Sequence, residues 1–344
     1  MKKFYIFFAI VIVLNIFLLF AGGNKAEVVS DKVAPIKVGI VFDVGGRGDK
    51  SFNDSAYNGL QKAIKELGIE AQYIEPGEGA DRESALRLLA SEKFDLILGI
   101  GFIFTDDLTN IAKEYPDRKF AGVDFVVNMD DKGNPLMPAP NIAALKFKEE
   151  EGSFLVGALA ALLTKTDKVG FIGGMDIPLI HKFESGFIQG VKAAKPEVQT
   201  ISNYAGVTSS AFKDPAKGKE LAMSQYGNNV DIIYHASGST GLGIFEAARS
   251  LNKLAIGVDS DQFTEAPGYI LSSMVKKVDV AVYQIIKETI DNKFKGGVKV
   301  FGLKEDGVAY VYDDNNKALI PDEINKKVNV LRDKIIKGEI KVSI

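Results

Sequence analysis

The sequence predicts an α/β protein of two lobes, each a parallel sheet flanked by helices, joined by a hinge of several strands. Three observations carry this. Short apolar runs alternate with amphipathic stretches from Ile36 onward, the pattern of parallel strands joined by helical crossovers. The alternation pauses once, over 128–141, and then starts again. The elements of the last third are too few for a third lobe, so they complete sheets begun earlier and carry the chain between the lobes more than once. A length of 344 residues gives two such domains room for a core each.

Before the first strand, Lys2 and Lys3 precede an apolar run from Phe4 to Leu14 that resumes after Asn15 and ends at Phe20. A positive segment followed by an apolar core is the pattern of an export signal, expected over 1–21, and an uncleaved membrane anchor is the alternative. A polar tether is expected over 22–35. No later stretch is long and apolar enough to cross a membrane.

Ile36–Phe42 is β-branched and bounded by Gly45-Gly46, as a buried strand would be. Ser51 or Asn53 caps a helix with Tyr57, Leu60, Ile64 and Leu67 on one face, stopped by Gly68. The strand Ala71–Ile74, helix Ser84–Ser91, strand Asp95–Gly99, helix Thr105–Glu114 and strand Lys119–Asp124 complete the first series. Pro135, Pro138 and Pro140 mark 128–141 as a loop leading to a crossover. The second series follows: helix Glu149–Leu163, strand Val169–Gly173, helix Glu184–Ala194, strand Thr200–Tyr204, and a helix with Asp214 as cap and Pro215 in its first turn. The strand Asp231–His235, helix Leu242–Leu251 and strand Leu254–Val258 end it. A strand at Ile270–Val275, a helix at Val278–Asp291, strands near Val298–Phe301 and Val308–Tyr312 and a closing helix from Pro321 to Lys337 remain. The expected lobes are 36–142 with 263–294, and 143–262 with 295–344.

Composition narrows the function classes. A hydrophobic share of 46% with 25% charged residues is that of a folded globular chain. A net charge of −3 gives no basic face for nucleic acid. With no cysteine, disulfides, thiolate metal sites and cysteine nucleophiles are excluded, and two histidines leave little for imidazole chemistry. No cofactor or metal is expected.

Ligands of open parallel sheets bind beyond the carboxyl ends of the strands. The residues there include Asp43 with the loop Gly45 to Asp54, Gly101-Phe102, Asp124-Phe125, Phe212 with Asp214, Ser237 to Gly241, Asp259 to Gln262, and Lys276. The set holds carboxylates, an amide, glycines and rings, but no nucleophile–base pair.

The segments FDVGGRGDKSFNDSAYNG, HKFESGFIQGVKAA, FKDPAKGKELA, HASGSTGLGIFEAA, IGVDSDQ and SSMVKKVDVAVY resemble the basic-membrane-protein family of substrate-binding lipoproteins, and within it the purine nucleoside receptors of ABC transporters. The resemblance runs from Ile36 to the C-terminus. It implies a type I periplasmic-binding-protein fold with two Rossmann-like lobes, and a purine held between one aromatic ring from each. Phe52 matches the first ring and Phe212 the second, with Phe183 in another matching motif. Asp43, Asn53 and Asp124 would address the base edge, and Gly238, Asp259 and Lys276 the ribose. The implied partners are a purine nucleoside, an ABC transporter permease and, through the N-terminus, a membrane; a monomer is expected. The chain departs from the family in two ways. It has no cysteine to carry the lipid, and it is acidic rather than basic.

Two rival functions are an enzyme, such as a nucleoside hydrolase using Asp43 or Asp124, and a surface adhesin or antigen with an empty cleft. Arg47-Gly48-Asp49 matches an integrin-recognition tripeptide, and His235 reads as a core residue. GSTGLG at 238–243 lacks the order and the lysine of a phosphate-binding loop, which disfavours a nucleotide.

Overall fold

The computed structural model describes residues 34–76 and 81–344. The expected signal, 1–21, and the tether up to residue 33 lie outside the described residues. The first sheet is built from β1 (Lys37–Val41), β2 (Glu70–Ile74), β3 (Leu96–Ile100), β4 (Lys119–Val123), β7 (Ile142–Phe147) and β13 (Gly297–Phe301), in the order β13-β7-β4-β3-β1-β2. A small antiparallel ribbon of β5 (Asn128–Met129) and β6 (Pro135–Leu136) stands apart from it. The second sheet contains β8 (Lys168–Met175), β9 (Gln199–Gly206), β10 (Ile232–Ala236), β11 (Leu254–Asp259), β12 (Ile270–Lys276) and β14 (Val308–Tyr310), in the order β14-β12-β11-β10-β8-β9. All pairings within the two sheets are parallel except β12 with β14. Strand order is therefore the same in both lobes, and each reverses direction between its first and third strands.

Helices cover both faces of each sheet. On the first, α2 (Arg82–Ser91) and α3 (Thr105–Glu114) bury Leu86, Leu89, Leu108 and Ile111 on one face. On the other lie α1 (Phe52–Leu67) and α8 (Val278–Ile290). The second sheet has α6 (Pro215–Gly227) and α7 (Gly241–Leu251) on one face and α4 (Glu149–Leu163) and α5 (Pro178–Ala194) on the other, with α9 (Asp322–Ile336) packed against α4. One core runs without interruption from Val38, Ile40 and Leu60 of the first lobe to Val156, Phe171 and Phe187 of the second.

The chain crosses between the lobes three times: at 147–149, at 276–278 and at 301–308. The crossings bond to one another, Lys148 N donating to Phe301 O at 3.1 Å and Lys277 N to Gly307 O at 2.9 Å. A hinge of several strands is expected here from the sequence; the crossing residues themselves, Lys148, Lys277 and Gly302 to Gly307, are short connections between strands and helices.

The strands correct the expected lobe boundaries. The first lobe does not end at 142, because Ile142–Phe147 is a strand of its sheet. Residues 263–294 divide: Ile270–Lys276 joins the second sheet, whereas the helix after it packs on the first lobe. Within 295–344, Gly297–Phe301 pairs with β7 of the first sheet. The reason is registration. Sequence periodicity marks a strand but not its partner, and leftover strands go to whichever sheet edge is open.

Helices α4 and α5 meet backbone to backbone. A Cβ added at Gly157 would overlap the Phe187 carbonyl oxygen, and one at Gly190 would overlap that of Phe154. Backbones so close leave no side chain that can yield. Gly157→Ala therefore tests the contact. Alanine is favoured over glycine in a helix by about 1 kcal/mol, but overpacking costs roughly 1–3 kcal/mol. Urea unfolding should show a net loss of stability; a gain would mean that the helices can separate freely.

Candidate functional site

The two lobes leave a cleft of about 600 Å³, counting the part open to solvent. All nine residues singled out from the sequence line it: Asp43, Phe52, Asn53, Asp124, Phe183, Phe212, Gly238, Asp259 and Lys276. Asp43 and Gly101 follow β1 and β3, the two strands that flank the reversal of the first sheet. The second lobe contributes Gly238 after β10 and Asp259 at the end of β11.

The loop between β1 and α1 is organised by Asp49, which is 3% exposed. Its carboxylate accepts from the backbone N–H groups of Ser51 at 2.9 Å, Asn53 at 2.8 Å and Asp54 at 3.1 Å, which ties down the first turn of α1. The same carboxylate accepts from Asn53 Nδ2 at 3.1 Å, while Asn53 Oδ1 accepts from Asp43 N at 3.1 Å. Asn53 thus fixes the strand end to the helix start, and only part of its amide is left for a ligand. Asp49 was not among the residues chosen from the sequence. Its burial and its four hydrogen bonds also remove Arg47-Gly48-Asp49 from use as an exposed adhesion tripeptide. Arg47 lies over the Tyr57 and Tyr73 rings at 4.7 and 4.2 Å and pairs with Glu75.

The rings are set by glycine and charge. Phe212 lies against β8 at Gly174, where any Cβ would overlap its ring. Phe52 opens α1, and Phe183 on α5 is 4% exposed. The Lys276 ammonium stands 5.1 Å from the Phe52 ring centroid, 5.6 Å from Phe183 and 5.0 Å from Phe147.

Lys276 is itself committed to protein. It donates to both Asp124 oxygens, at 2.7 and 2.6 Å, and lies 3.0 Å from Glu149 Oε1. Glu149 also pairs with Lys182, which reaches Glu150 at 3.3 Å. Burial alone would lower the lysine, but Asp124, Glu149 and Asp259 outweigh it and hold Lys276 above its ordinary value. Burial pushes the Asp124 carboxyl up, with Lys276 opposing. Burial acts upward on Glu149 too, yet Lys276 and Lys182 together hold it below the usual carboxylate value. Neither Glu149 nor Lys182 was found from the sequence, because nothing in a sequence marks a charge as buried.

Asp124 and Asp259 both sit with left-handed backbone, φ 60° and 64°, the first directly beyond the fourth strand of its sheet and the second ending the fourth strand of its own. Such a conformation is strained for a non-glycine residue and is often retained at functional sites. Asp259 accepts from Ser51 Oγ at 2.5 Å. Burial pushes Asp43 and Asp259 up to about 7. His235 is fully buried, and burial pushes it down to about 4; it is a neutral core residue, as expected. Asp214 caps α6 by accepting from Lys217 N at 2.9 Å, and Asp261 caps the next turn by accepting from Phe263 N at 3.1 Å; neither lines the cleft. Gly101, Phe102, Leu179 and Ile180 line the cleft beyond the chosen set. No group of metal-ligating side chains occurs among the described residues.

Residues 36–343 match the family model described as ABC transporter substrate-binding protein PnrA-like. The chain is 33% identical over 344 residues to an ABC transporter nucleoside-binding protein, BmpA, of Lactococcus lactis, covering 94% of this chain and 92% of that one. It is 36% identical over 344 residues to an uncharacterized lipoprotein of Pyrococcus abyssi, covering 92% of this chain and 81% of the other. A crystal structure of an ABC transporter solute-binding protein from Aeropyrum pernix superposes with a TM-score of 0.80 at 31% identity, over 89% of this chain and 93% of that one.

The raised carboxyls predict a pH dependence. Unfolded, Asp43 and Asp259 titrate near 3.8; folded, near 7. Between those values the folded protein holds protons that the unfolded chain has lost, so their effect is to lower stability as pH rises from 4 to 7. Ligand-free melting temperatures across that window should fall less steeply for Asp43→Asn and Asp259→Asn than for the parent chain. Parallel curves would show that neither carboxyl is perturbed.

Proposed function

We propose that this chain, which belongs to the PnrA-like family of ABC transporter substrate-binding proteins, captures purine nucleosides between its lobes and delivers them to a membrane permease. One observation carries the reading: a ring from each lobe, Phe52 and Phe212, lines the same cleft as the carboxylates of both. A purine presents two faces for stacking and an edge of donors and acceptors, and its ribose adds hydroxyl donors. Stacking contributes roughly 1–3 kcal/mol per base. Asp43 and Asp124 address the base edge. Asp259, Gly238 and Lys276 hold the ribose, with Lys276 acting as the fixed charge that orients Asp124. The name of the Lactococcus lactis relative supports the ligand class.

Capture involves no bond breaking. Only the closed form makes both sets of contacts, so ligand shifts the population towards closure. The family is one of substrate-binding proteins rather than enzymes. Export through the N-terminal segment and action as a monomer at the membrane surface complete the proposal.

Calorimetric titration with adenosine, guanosine, inosine and their free bases tests it. Phe52→Ala and Phe212→Ala should each weaken every ligand by roughly 1–3 kcal/mol, since each removes one stacking face. Asp259→Ala removes a charged acceptor, a loss of roughly 1.5–3 kcal/mol, and only for ligands that carry the sugar. Equal losses for base and nucleoside would refute the ribose role, and unchanged binding in Phe212→Ala would move the second ring to Phe183. No binding of any nucleoside by the parent chain would sink the ligand class.

A further inference from the structure

Beside the cleft, three side chains of the second lobe hold one short stretch of the first. Gln262 Nε2 donates to Lys50 O at 3.0 Å, Ser260 Oγ donates to Ser51 O at 3.1 Å, and Asp259 Oδ2 accepts from Ser51 Oγ at 2.5 Å. Lys50 and Ser51 immediately precede Phe52 and Asn53, so whatever fixes them fixes the first ring. Lys50 has left-handed backbone, φ 57°, which persists in a lysine only where the surroundings hold it.

Gln262 is 1% exposed and does not line the cleft. Its Oε1 accepts from Val258 N at 2.8 Å and lies 3.2 Å from His235 Nε2. An amide oxygen only accepts, so His235 carries its proton on Nε2 and donates it. His235 Nδ1 then accepts from Ser237 Oγ at 3.1 Å. With its oxygen held inside the second lobe by two donors, the Gln262 amide has one orientation, and its N–H2 group faces the first lobe. Gly257 leaves the space for it, since a Cβ there would come within 2.7 Å of Gln262 Oε1.

We propose that Gln262, oriented by His235, is a positioning residue that holds the Lys50–Ser51 loop across the lobe boundary and so sets how long the closed form retains its ligand. The identity of that ligand rests on the nucleoside reading above; the closure does not. The three bonds exist only with the lobes together, so they bias the closed form whether or not the cleft is filled. Their loss acts on release more than on capture.

Gln262→Glu is the direct test. It keeps the shape and the oxygen that Val258 and His235 use, and it replaces the donor to Lys50 O with an acceptor. Ser260→Ala is the second variant, since it removes one cross-lobe bond at a partly exposed side chain and leaves the core intact. The chain has no cysteine, so Lys132→Cys and Ser224→Cys, exposed sites on different lobes, give a clean dye pair for energy transfer. Without ligand, both variants should show a smaller closed fraction than the parent. Adenosine release in stopped flow should quicken by roughly tenfold in Gln262→Glu and by about two- to fivefold in Ser260→Ala, with association changed less than about threefold. An unchanged closed fraction in both variants overturns the proposal. So does faster release with an unchanged closed fraction, which would place Gln262 in ligand contact instead. The energy-transfer arm needs no nucleoside, so a parent chain that ignores adenosine would defeat the ligand reading and leave this test in force.

Discussion

Lys276 ends a strand of the second sheet at the point where the chain crosses to the first lobe, and its side chain is 2% exposed. An ammonium in that position must be matched by charge, because removing one partner of a buried pair typically costs 3–5 kcal/mol. The match comes from Asp124 at the end of a first-sheet strand and Glu149 at another crossing. Three separate segments must therefore converge for either sheet to be compatible with the other. Two carboxylates around one ammonium would leave an excess of negative charge, and Lys182 on α5 offsets it. The floor of the cleft is thus fixed where the lobes join, and Phe52 and Phe183 pack around an ammonium that cannot wander.

From this junction outward, the identical strand order of the two lobes has a functional consequence. Equivalent strands end at equivalent heights, so Asp124 and Asp259 leave their sheets in the same left-handed turn and enter the cleft from opposite sides. Gly101 and Gly238, with φ of 114° and 56°, occupy matching places after the third strands. The lobes differ where the cleft must be asymmetric. Only the first carries the Asp49-organised loop before its first helix, and that loop supplies both a ring and the residues that the second lobe grasps.

Most of the fold was legible because its signals are local. β-branched runs, the glycine after Leu67 and the proline after Asp214 each marked an element correctly. What failed was partner choice. Ile142–Phe147, between three prolines and a helix, carries no assigned element in the sequence reading, yet it is the strand that pairs with both β4 and β13. The cleft lining was legible through motif context and position after strands, which brought nine residues to one cleft. The supporting residues were hidden for a physical reason. Glu149 and Lys182 look like any surface pair, and Gln262 like any loop amide, until packing removes their water. Asp49 was readable in principle, as an acidic residue a few positions before an amphipathic helix.

Under the proposed capture, charge within the cleft would tie closure to ligand. Asp43, Asp49, Asp124 and Asp259 face a space in which Lys276 is the one lining cation among the described residues, and Lys276 already serves Asp124. Closing the lobes removes water from carboxylates that repel one another, and burial raises Asp43, Asp49 and Asp259 in consequence. An empty cleft near neutral pH can relieve this only by taking up protons or by opening. A neutral ligand with several N–H and O–H donors relieves it differently, by giving the carboxylates hydrogen bonds in place of water. An anionic phosphate would add to the repulsion. The same excess of acceptors that strains the empty closed form thus favours a donor-rich, uncharged ligand.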